Sequence, residues 1–263
     1  MSSRVADGYE AVYQALSASE TFNRIWRSRA YNGEFPAEFA HIGFLTLAEA
    51  STVRDVLALA EDSTLVDLAC GSGGPGLWMA SQTGASLIGV DPTESGLALA
   101  RDRAQRVGLG HRAEFRRGTF ARTGLSDSDA DAVMSIEAFQ YAPDKAAGLA
   151  EMRRILRPGG RVAFVAFEVD PAKALGVPVL GVDPVPDYRP LLEGAGFQLG
   201  TYDETPNWEE RVYGVFQAIV DSADTLSAEM GERAAAAVIA EAMITLSARP
   251  YPRRVLAAAS GAA

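Results

Sequence analysis

A short apolar run followed by closely spaced glycines is the feature that most restricts the fold of this chain. The run is Thr64-Leu-Val-Asp-Leu-Ala69, and Gly71-Ser-Gly-Gly-Pro-Gly76 begins two residues after its end. An apolar run of this length predicts a buried strand, and glycine permits the positive φ angles of a tight turn. Pro75 suits the first turn of a helix, where its missing N–H costs little. The pattern therefore predicts a strand, a turn and a helix whose backbone can approach a ligand closely.

The same order of strand and helix repeats along the chain. Further strands are predicted at 86–91, 112–117, 131–136, 161–167, 197–203 and 254–259, with helices at 51–60, 93–107, 145–156 and 188–195. Alternation of this kind predicts an α/β fold with a mostly parallel sheet and helices on both faces. Two segments lie outside the alternation: residues 1–50 are rich in aromatic side chains, and residues 207–248 are rich in alanine and helical in pattern. We expect both to cover the edge of the sheet where ligands bind.

The charge and cysteine content of the chain limit the kinds of ligand that it is expected to bind. The 24 basic and 34 acidic residues give a net charge of −10 without any long run of like charge, which argues against a phosphate backbone as ligand. The sole cysteine, Cys70, excludes an internal disulfide, and with only two histidines no zinc or other metal site is expected. No stretch approaches the ~18 apolar residues of a membrane helix, and the N-terminus lacks an apolar signal core, so we expect a cytoplasmic protein.

The position of two acids bears on what the glycine turn binds. Asp91 ends the second predicted strand, where a carboxylate can accept hydrogen bonds from both hydroxyls of a ribose. Asp67 comes just before the turn, where it would face a pyrophosphate unfavourably, and the turn contains no Lys or Arg. A ligand with a sulfonium and an amino group fits this carboxylate better than a dinucleotide does. A nicotinamide site and a turn without any ligand remain as alternatives.

Four segments together resemble class I S-adenosylmethionine-dependent methyltransferases, and among them bacterial enzymes that act on natural products. These are Val66-Asp-Leu-Ala-Cys-Gly-Ser-Gly73, Ile88-Gly-Val-Asp91, Asp131-Ala-Val-Met-Ser-Ile-Glu-Ala-Phe-Gln-Tyr141 and Glu151-Met-Arg-Arg-Ile-Leu-Arg-Pro-Gly-Gly-Arg-Val162. The resemblance covers roughly residues 50–200. It implies a Rossmann-like sheet of seven strands whose last strand, near 253–258, is antiparallel. The two segments outside the alternation add a helical N-terminal cap or lid (1–50) and a helical insertion (about 207–248) to a cofactor domain (51–263).

The resemblance implies S-adenosyl-L-methionine as cofactor, with contacts from the ends of the first four strands. The residues predicted to contact it are Asp67, Ala69, Gly71, Gly73, Asp91, Pro92, Thr119, Phe120, Ser135 and Glu137. Two positions depart from the family pattern in this group. Ala69 replaces the usual first glycine of the turn, and we expect cofactor binding to be little affected because alanine is small. Thr119 stands where relatives often carry an acid that binds the adenine amino group. Phe120 could stack on the base instead.

Methyl transfer needs alignment of acceptor and methyl group more than it needs acid–base chemistry. The residues predicted to act on the acceptor are Tyr31, His41, Glu137 and Gln140. Glu137 is either a base or substrate contact, or a carboxylate that holds its loop. Gln140 and Tyr141 are expected to orient the acceptor, and Gln140 stands where many relatives have a histidine. His41 is either a base or a packed side chain.

We therefore predict an enzyme, monomeric or homodimeric, that methylates O, N or C of a small molecule in secondary metabolism. The alternative is a cofactor-binding protein on the same fold that catalyses another reaction, such as a cyclisation, or that only binds.

Overall fold

The computed structural model describes residues 3–174, 176–178, 181–249 and 251–262. Residues 1 and 2 of the predicted N-terminal cap, and residues 175, 179, 180, 250 and 263 of the predicted cofactor domain, lie outside this part. The strands are Thr64–Leu68 (β1), Ser86–Asp91 (β2), Ala113–Arg117 (β3), Ala130–Ile136 (β4), Leu156–Val169 (β5), Phe197–Glu204 (β6) and Pro252–Gly261 (β7). Among the described residues they form one seven-stranded sheet in the order β3-β2-β1-β4-β5-β7-β6.

The direction of the strands confirms the predicted Rossmann-like sheet. The pairs β3-β2, β2-β1, β1-β4 and β4-β5 are parallel, whereas β7 is antiparallel to both β5 and β6. Parallel strands require crossovers, and the helices that supply them bury both faces of the sheet. As a consequence, the carboxyl ends of β1, β2 and β4 meet at one edge, which is where open sheets of this kind bind ligands.

The α-helices lie between and outside the strands. They are Ser3–Ala15 (α1), Glu20–Ile25 (α2), Leu47–Leu57 (α3), Gly74–Thr83 (α4), Glu94–Arg106 (α5), Lys145–Ile155 (α6), Arg189–Gly194 (α7), Trp208–Asp221 (α8), Ala223–Met230 (α9) and Glu232–Ala248 (α10). Among the described residues, no helix combines the length and the apolar character that crossing a lipid bilayer requires.

One helix begins earlier than its apolar pattern indicates. The predicted helix at 51–60 is α3, which starts at Leu47 because Thr46 and Glu49 form a capping box. The Thr46 hydroxyl accepts from the Glu49 N–H at 3.2 Å, and the Glu49 carboxylate accepts from the Thr46 N–H at 3.0 Å. These two bonds satisfy N–H groups that a helix start would otherwise leave unpaired. The helix ends at Leu57 because Ala58 has a left-handed backbone.

The N-terminal segment and the insertion between β6 and β7 pack on each other. Helix α1 contacts α5 and α10, while α2 contacts α8 and α9. Phe22, Trp26 and Phe44 are buried in the same apolar cluster as Phe216 of α8. The rings of Trp26 and Phe44 lie 4.9 Å apart, and those of Phe44 and Phe216 lie 5.5 Å apart. The N-terminal segment and the insertion therefore share one apolar core.

Candidate functional site

The turn between β1 and α4 contains three residues with left-handed backbone. The φ angles of Ala69, Gly71 and Gly73 are 60°, 51° and 75°. Glycine adopts this region freely, whereas alanine pays roughly 1–2 kcal/mol for it. Two backbone bonds to β2 hold the turn, since the N–H groups of Ala69 and Cys70 both donate to the Val90 carbonyl. The turn therefore lies directly beside the end of β2.

Asp91 connects the turn to the end of β2. One carboxylate oxygen accepts from the Gly71 N–H at 2.8 Å, and the other accepts from the Thr93 N–H at 2.8 Å and the Thr93 hydroxyl at 2.5 Å. A carboxylate offers about four acceptor positions, so roughly one stays open. Asp91 is buried, which raises its pKa, while the bonds from Thr93 and Gly71 act in the opposite direction. The carboxylate can accept one more hydroxyl directly, and a second only if the Thr93 hydroxyl turns away.

Asp67 is the second acid of the site. Its side chain is buried at the end of β1 and lines a small cavity together with His41 and Pro75. Burial, reinforced by the nearby charge of Asp91, raises its pKa to about 8. Asp67 is therefore protonated at neutral pH until a positive group binds beside it.

This shift predicts a pH-dependent effect of the isosteric Asp67→Asn change. Between about pH 4 and pH 8 the unfolded chain has lost the Asp67 proton while the folded chain keeps it, so the free energy of unfolding falls as pH rises. Asparagine cannot ionise and avoids this loss. Urea unfolding at pH 4 and pH 8 should show the variant gaining stability relative to wild type at the higher pH. An equal difference at both pH values would contradict the assignment.

Tyr13 of α1 covers the glycine turn. A Cβ built on Gly71 would overlap the Tyr13 hydroxyl oxygen, so the phenol packs directly on the turn. Two cavities of about 60 and 70 Å³ lie there, and Tyr13, Ile42 and Gly43 line both. Pockets for small-molecule ligands usually measure about 300–1,000 Å³. A nucleoside-sized ligand therefore enters this site only when the Tyr13 side chain moves away from Gly71.

Glu137, predicted as cofactor contact and possible base, lies at the carboxyl end of β4. It lines the cavity above Asp91, and its φ of 54° indicates a strained backbone. One carboxylate oxygen accepts from Arg254 Nε at 2.7 Å, and the other accepts from the Phe44 N–H. Burial raises the Glu137 pKa, and Arg254 and Phe44 counteract this. Because both oxygens are already engaged, the geometry favours the loop-holding interpretation over a base.

Glu137 belongs to a buried ionic cluster, defined as Glu49, Glu137, Arg211 and Arg254. The Arg254 side chain, on β7, is completely buried and binds both oxygens of Glu49 at 2.8 and 3.1 Å as well as Glu137. Arg211 of α8 reaches Glu49 at 2.6 Å. The cluster therefore joins α3, β4, β7 and α8 directly behind the site.

His41 and Tyr31 lie together in the N-terminal segment. Their ring centroids are 5.0 Å apart, and both residues are buried. Burial, followed by the charge of Arg103, lowers the His41 pKa to about 3, so the imidazole is neutral at neutral pH. Neither ring nitrogen has a hydrogen-bond partner among the described residues, and His41 lines the cavity next to Asp67. The ring is placed to make a hydrogen bond to a ligand, whereas its low pKa disfavours a role as base.

Gln140 is turned toward its own loop rather than toward the cavities. Its side-chain amide donates to the Glu137 carbonyl at 2.6 Å, and the residue is buried. This bond holds the strained turn at Glu137. The predicted orienting role of Gln140 is thus indirect in this arrangement.

The remaining predicted contacts are more distant. Phe120 packs on Phe139 with ring centroids 5.4 Å apart, in the apolar cluster behind β4. Ser135 is completely buried within β4, and its hydroxyl has no partner among the described residues. Neither these two residues nor Gly73, Pro92 and Thr119 line the two small cavities. Their predicted contacts to a cofactor remain predictions.

Several residues that shape the site were not predicted from the sequence. Tyr9 and Tyr13 are four residues apart on α1 and therefore share one helix face, a spacing that the sequence does display. Glu241 is an acid in the middle of an alanine-rich apolar helix, beyond the first turn where Glu232 lies, and this is also a readable signal. Arg254 offered no signal, because its partners lie 117 and 205 residues away in the chain.

Comparison with known proteins agrees with this geometry. Residues 66–164 match the family model described as a methyltransferase domain. The match begins in β1 and ends in β5, and so it includes the glycine turn, Asp91 and Glu137.

Two curated relatives and one solved structure extend the likeness. Methyltransferase GfsG of Streptomyces halstedii is 31% identical over 183 residues, which is 65% of each chain. The chain thus spans slightly less than two thirds of that relative. The 27-O-demethylrifamycin SV methyltransferase of Amycolatopsis mediterranei is 24% identical over 220 residues, or 78% of this chain and 79% of the other. The crystal structure of the [4+2]-cyclase SpnF superposes with a TM-score of 0.70 at 19% identity, covering 81% of this chain and 80% of that one, and so it shares the fold.

Proposed function

We propose that the chain is a class I S-adenosylmethionine-dependent methyltransferase, and that it transfers a methyl group from this cofactor to a small, largely apolar natural product. The observation that carries the proposal is the position of an apolar cavity of about 510 Å³ between α1 and α10. Tyr9 and Tyr141 line this cavity and also the small cavity above Asp91. The two tyrosines therefore stand between a space for an apolar acceptor and the cofactor turn.

The residues of the turn fit the cofactor chemically. The open acceptor position of Asp91 suits a ribose hydroxyl, and Gly71 allows the ligand to approach the backbone. Asp67, protonated at neutral pH, becomes a carboxylate when the ammonium group of the cofactor lies beside it. His41 lines the same cavity and has ring nitrogens without a hydrogen-bond partner among the described residues. The bound sulfonium supplies an electrophilic methyl group, and the protein's task is to align the acceptor and exclude water.

We include the aromatic N-terminal segment and α8–α10 in this proposal as a cover over the site. Tyr13 must move to admit the cofactor, and the other aromatic side chains of the segment then keep water from the reacting atoms. The acidic surface supports a small molecule rather than a nucleic acid as partner, since phosphates would be repelled. A cytoplasmic location and a monomeric or homodimeric state remain predictions of the sequence.

The name of the rifamycin relative suggests the acceptor for a first test. The full chain is incubated with methyl-labelled S-adenosylmethionine, 27-O-demethylrifamycin SV and a library of other hydroxylated polyketides. We expect S-adenosylhomocysteine and a labelled product heavier by one methylene unit with at least one compound, and neither with Asp91→Ala. A product that forms without S-adenosylhomocysteine would instead favour a reaction such as a cyclisation. Cofactor binding with no product from any compound would contradict the proposal for this substrate class.

A further inference from the structure

The cavity between α1 and α10 has mostly apolar walls, and its charged lining residues are Asp7, Arg233 and Glu241. Val5 and Val12 of α1 line it from one side, and Val238 and Ile244 of α10 from the other. Glu241 lies on the same wall as Val238 and Ile244. A single carboxylate in apolar surroundings is costly unless hydrogen bonds or a ligand compensate it.

Two phenols donate to this carboxylate. The Tyr141 hydroxyl lies 2.8 Å from Glu241 Oε1, and the Tyr9 hydroxyl lies 3.2 and 3.3 Å from Oε1 and Oε2. Oε2 therefore receives only one long bond and retains acceptor capacity. Within the part of the chain that the structure describes, Glu241 forms no salt bridge with Lys or Arg, and its pKa is raised by burial while the tyrosine bonds act against this.

The position of the two phenols links Glu241 to the cofactor site. Tyr9 and Tyr141 line the cavity above Asp91 and Glu137, and their rings are 6.1 Å apart. Glu241 thus sits behind the wall that separates the apolar cavity from the cofactor turn. A group that binds Glu241 from the apolar side is held next to this wall, and it meets the cofactor site when the Tyr9 and Tyr141 side chains turn aside.

We propose that Glu241 binds a hydroxyl group of the acceptor and takes its proton during methyl transfer, with Tyr9 and Tyr141 as positioning residues. This inference rests on the proposed function. In the step, the oxygen lone pair forms the new O–CH₃ bond, the S–CH₃ bond breaks, and its electron pair neutralises the sulfonium. The hydroxyl proton passes to Glu241 Oε2 and later to water, so charge and atoms balance.

Arg233 and Asp7 add one charge of each sign to the walls of this cavity. Arg233 lines it from the first turn of α10, eight residues or about 12 Å along the helix from Glu241. Because these two charges oppose each other, the mostly apolar walls decide the type of acceptor, and they disfavour a protonated amine more than a neutral hydroxyl. The apolar walls in turn favour an acceptor whose hydroxyl is carried on a hydrophobic skeleton.

Binding of three matched probes tests this assignment without any need for turnover. The full chain, loaded with S-adenosylhomocysteine, is titrated with 2-naphthol, naphthalene and 2-naphthylmethylammonium, and ligand fluorescence reports the dissociation constants. Binding of S-adenosylhomocysteine is measured separately by calorimetry. Absence of this binding would count against the proposed function, whereas absence of a naphthol preference in the loaded protein would count only against the role of Glu241.

We expect 2-naphthol to bind wild type at least ~10-fold more tightly than naphthalene, which corresponds to one hydrogen bond to a charged group. Glu241→Leu should abolish this preference, while Met243→Leu, at an exposed position of the same helix, should leave it unchanged. Equal binding of naphthol and naphthalene to wild type would overturn the proposal. The proposal would also be overturned if Glu241→Leu still preferred 2-naphthol to naphthalene, or if wild type bound 2-naphthylmethylammonium more tightly than 2-naphthol.

Discussion

Replacing Arg254 by methionine should lower the free energy of unfolding by about 3–5 kcal/mol, the usual cost of removing one partner from a buried ion pair. Arg254 is fully buried and is the only member of the ionic cluster that binds both Glu137 and Glu49 among the described residues. Without it, two carboxylates remain buried next to each other. Urea unfolding measures the loss, and for a chain of this size a fall of roughly 10 °C in Tm should accompany it.

Two comparisons show whether the loss comes from the uncompensated charges. Adding Glu137→Gln to Arg254→Met should restore at least half of the lost stability, because a neutral amide replaces the carboxylate left without a counter-charge, whereas Glu49 keeps its ion pair with Arg211. Arg106→Met removes an exposed ion pair with Asp102 and should cost less than about 1 kcal/mol. If Arg254→Met were as mild as Arg106→Met, the cluster would contribute little to holding the site together.

Glu241→Gln should lower kcat by about 10²- to 10⁴-fold, the range expected for loss of a general base. The amide still accepts a hydrogen bond, so KM should change little, and the rate of substrate binding is preserved. The measurement is the initial rate of S-adenosylhomocysteine formation with the acceptor found in the polyketide library, with Met243→Leu as the matched control on the same helix.

The pH dependence supplies a second readout of Glu241. The wild-type rate should fall as acid protonates Glu241, at a pH above the ordinary range of glutamate because burial raises its pKa. The groups that face it are Tyr9 and Asp7 from α1, Tyr141 from the turn after β4, and Arg233 on its own helix. The two tyrosines have pKa values raised well above the usual value and stay protonated across this range. An acid limb that persists in Glu241→Gln, or a loss of less than ~10-fold in kcat, would contradict the role as base.

The sheet could be predicted from the sequence because each strand is a local pattern. The apolar run before the glycine turn marks β1, and the position of Asp91 at the end of β2 follows from its run alone. The run at 161–167 marks the apolar part of β5, but the strand begins earlier, at Leu156, and passes through Pro158-Gly159-Gly160. The start of α3 was also readable, since Thr46 and Glu49 have the spacing of a capping box, but the apolar period alone placed the helix too late.

The site was only partly predictable, because its chemistry depends on contacts between distant segments. Nothing near Glu137 in the sequence indicates that Arg254, on the last strand, neutralises it and thereby weakens the case for a base. His41 illustrates the same limit, since its pKa near 3 results from burial and from Arg103 on another helix. Glu241 became a candidate only when α10 was seen to pack against α1 and to bring Tyr9 within hydrogen-bonding distance.

Calorimetric titration with S-adenosylhomocysteine tests the central claim most directly, namely that the glycine turn and Asp91 form the cofactor site. We predict that wild type binds S-adenosylhomocysteine, and that binding raises Tm as it must for a ligand specific to the folded state. Asp91→Ala should weaken binding at least ~10-fold, because a buried acceptor of hydrogen bonds is lost, and NAD should not bind. Absence of S-adenosylhomocysteine binding at millimolar concentration, or tighter binding of NAD, would contradict the account.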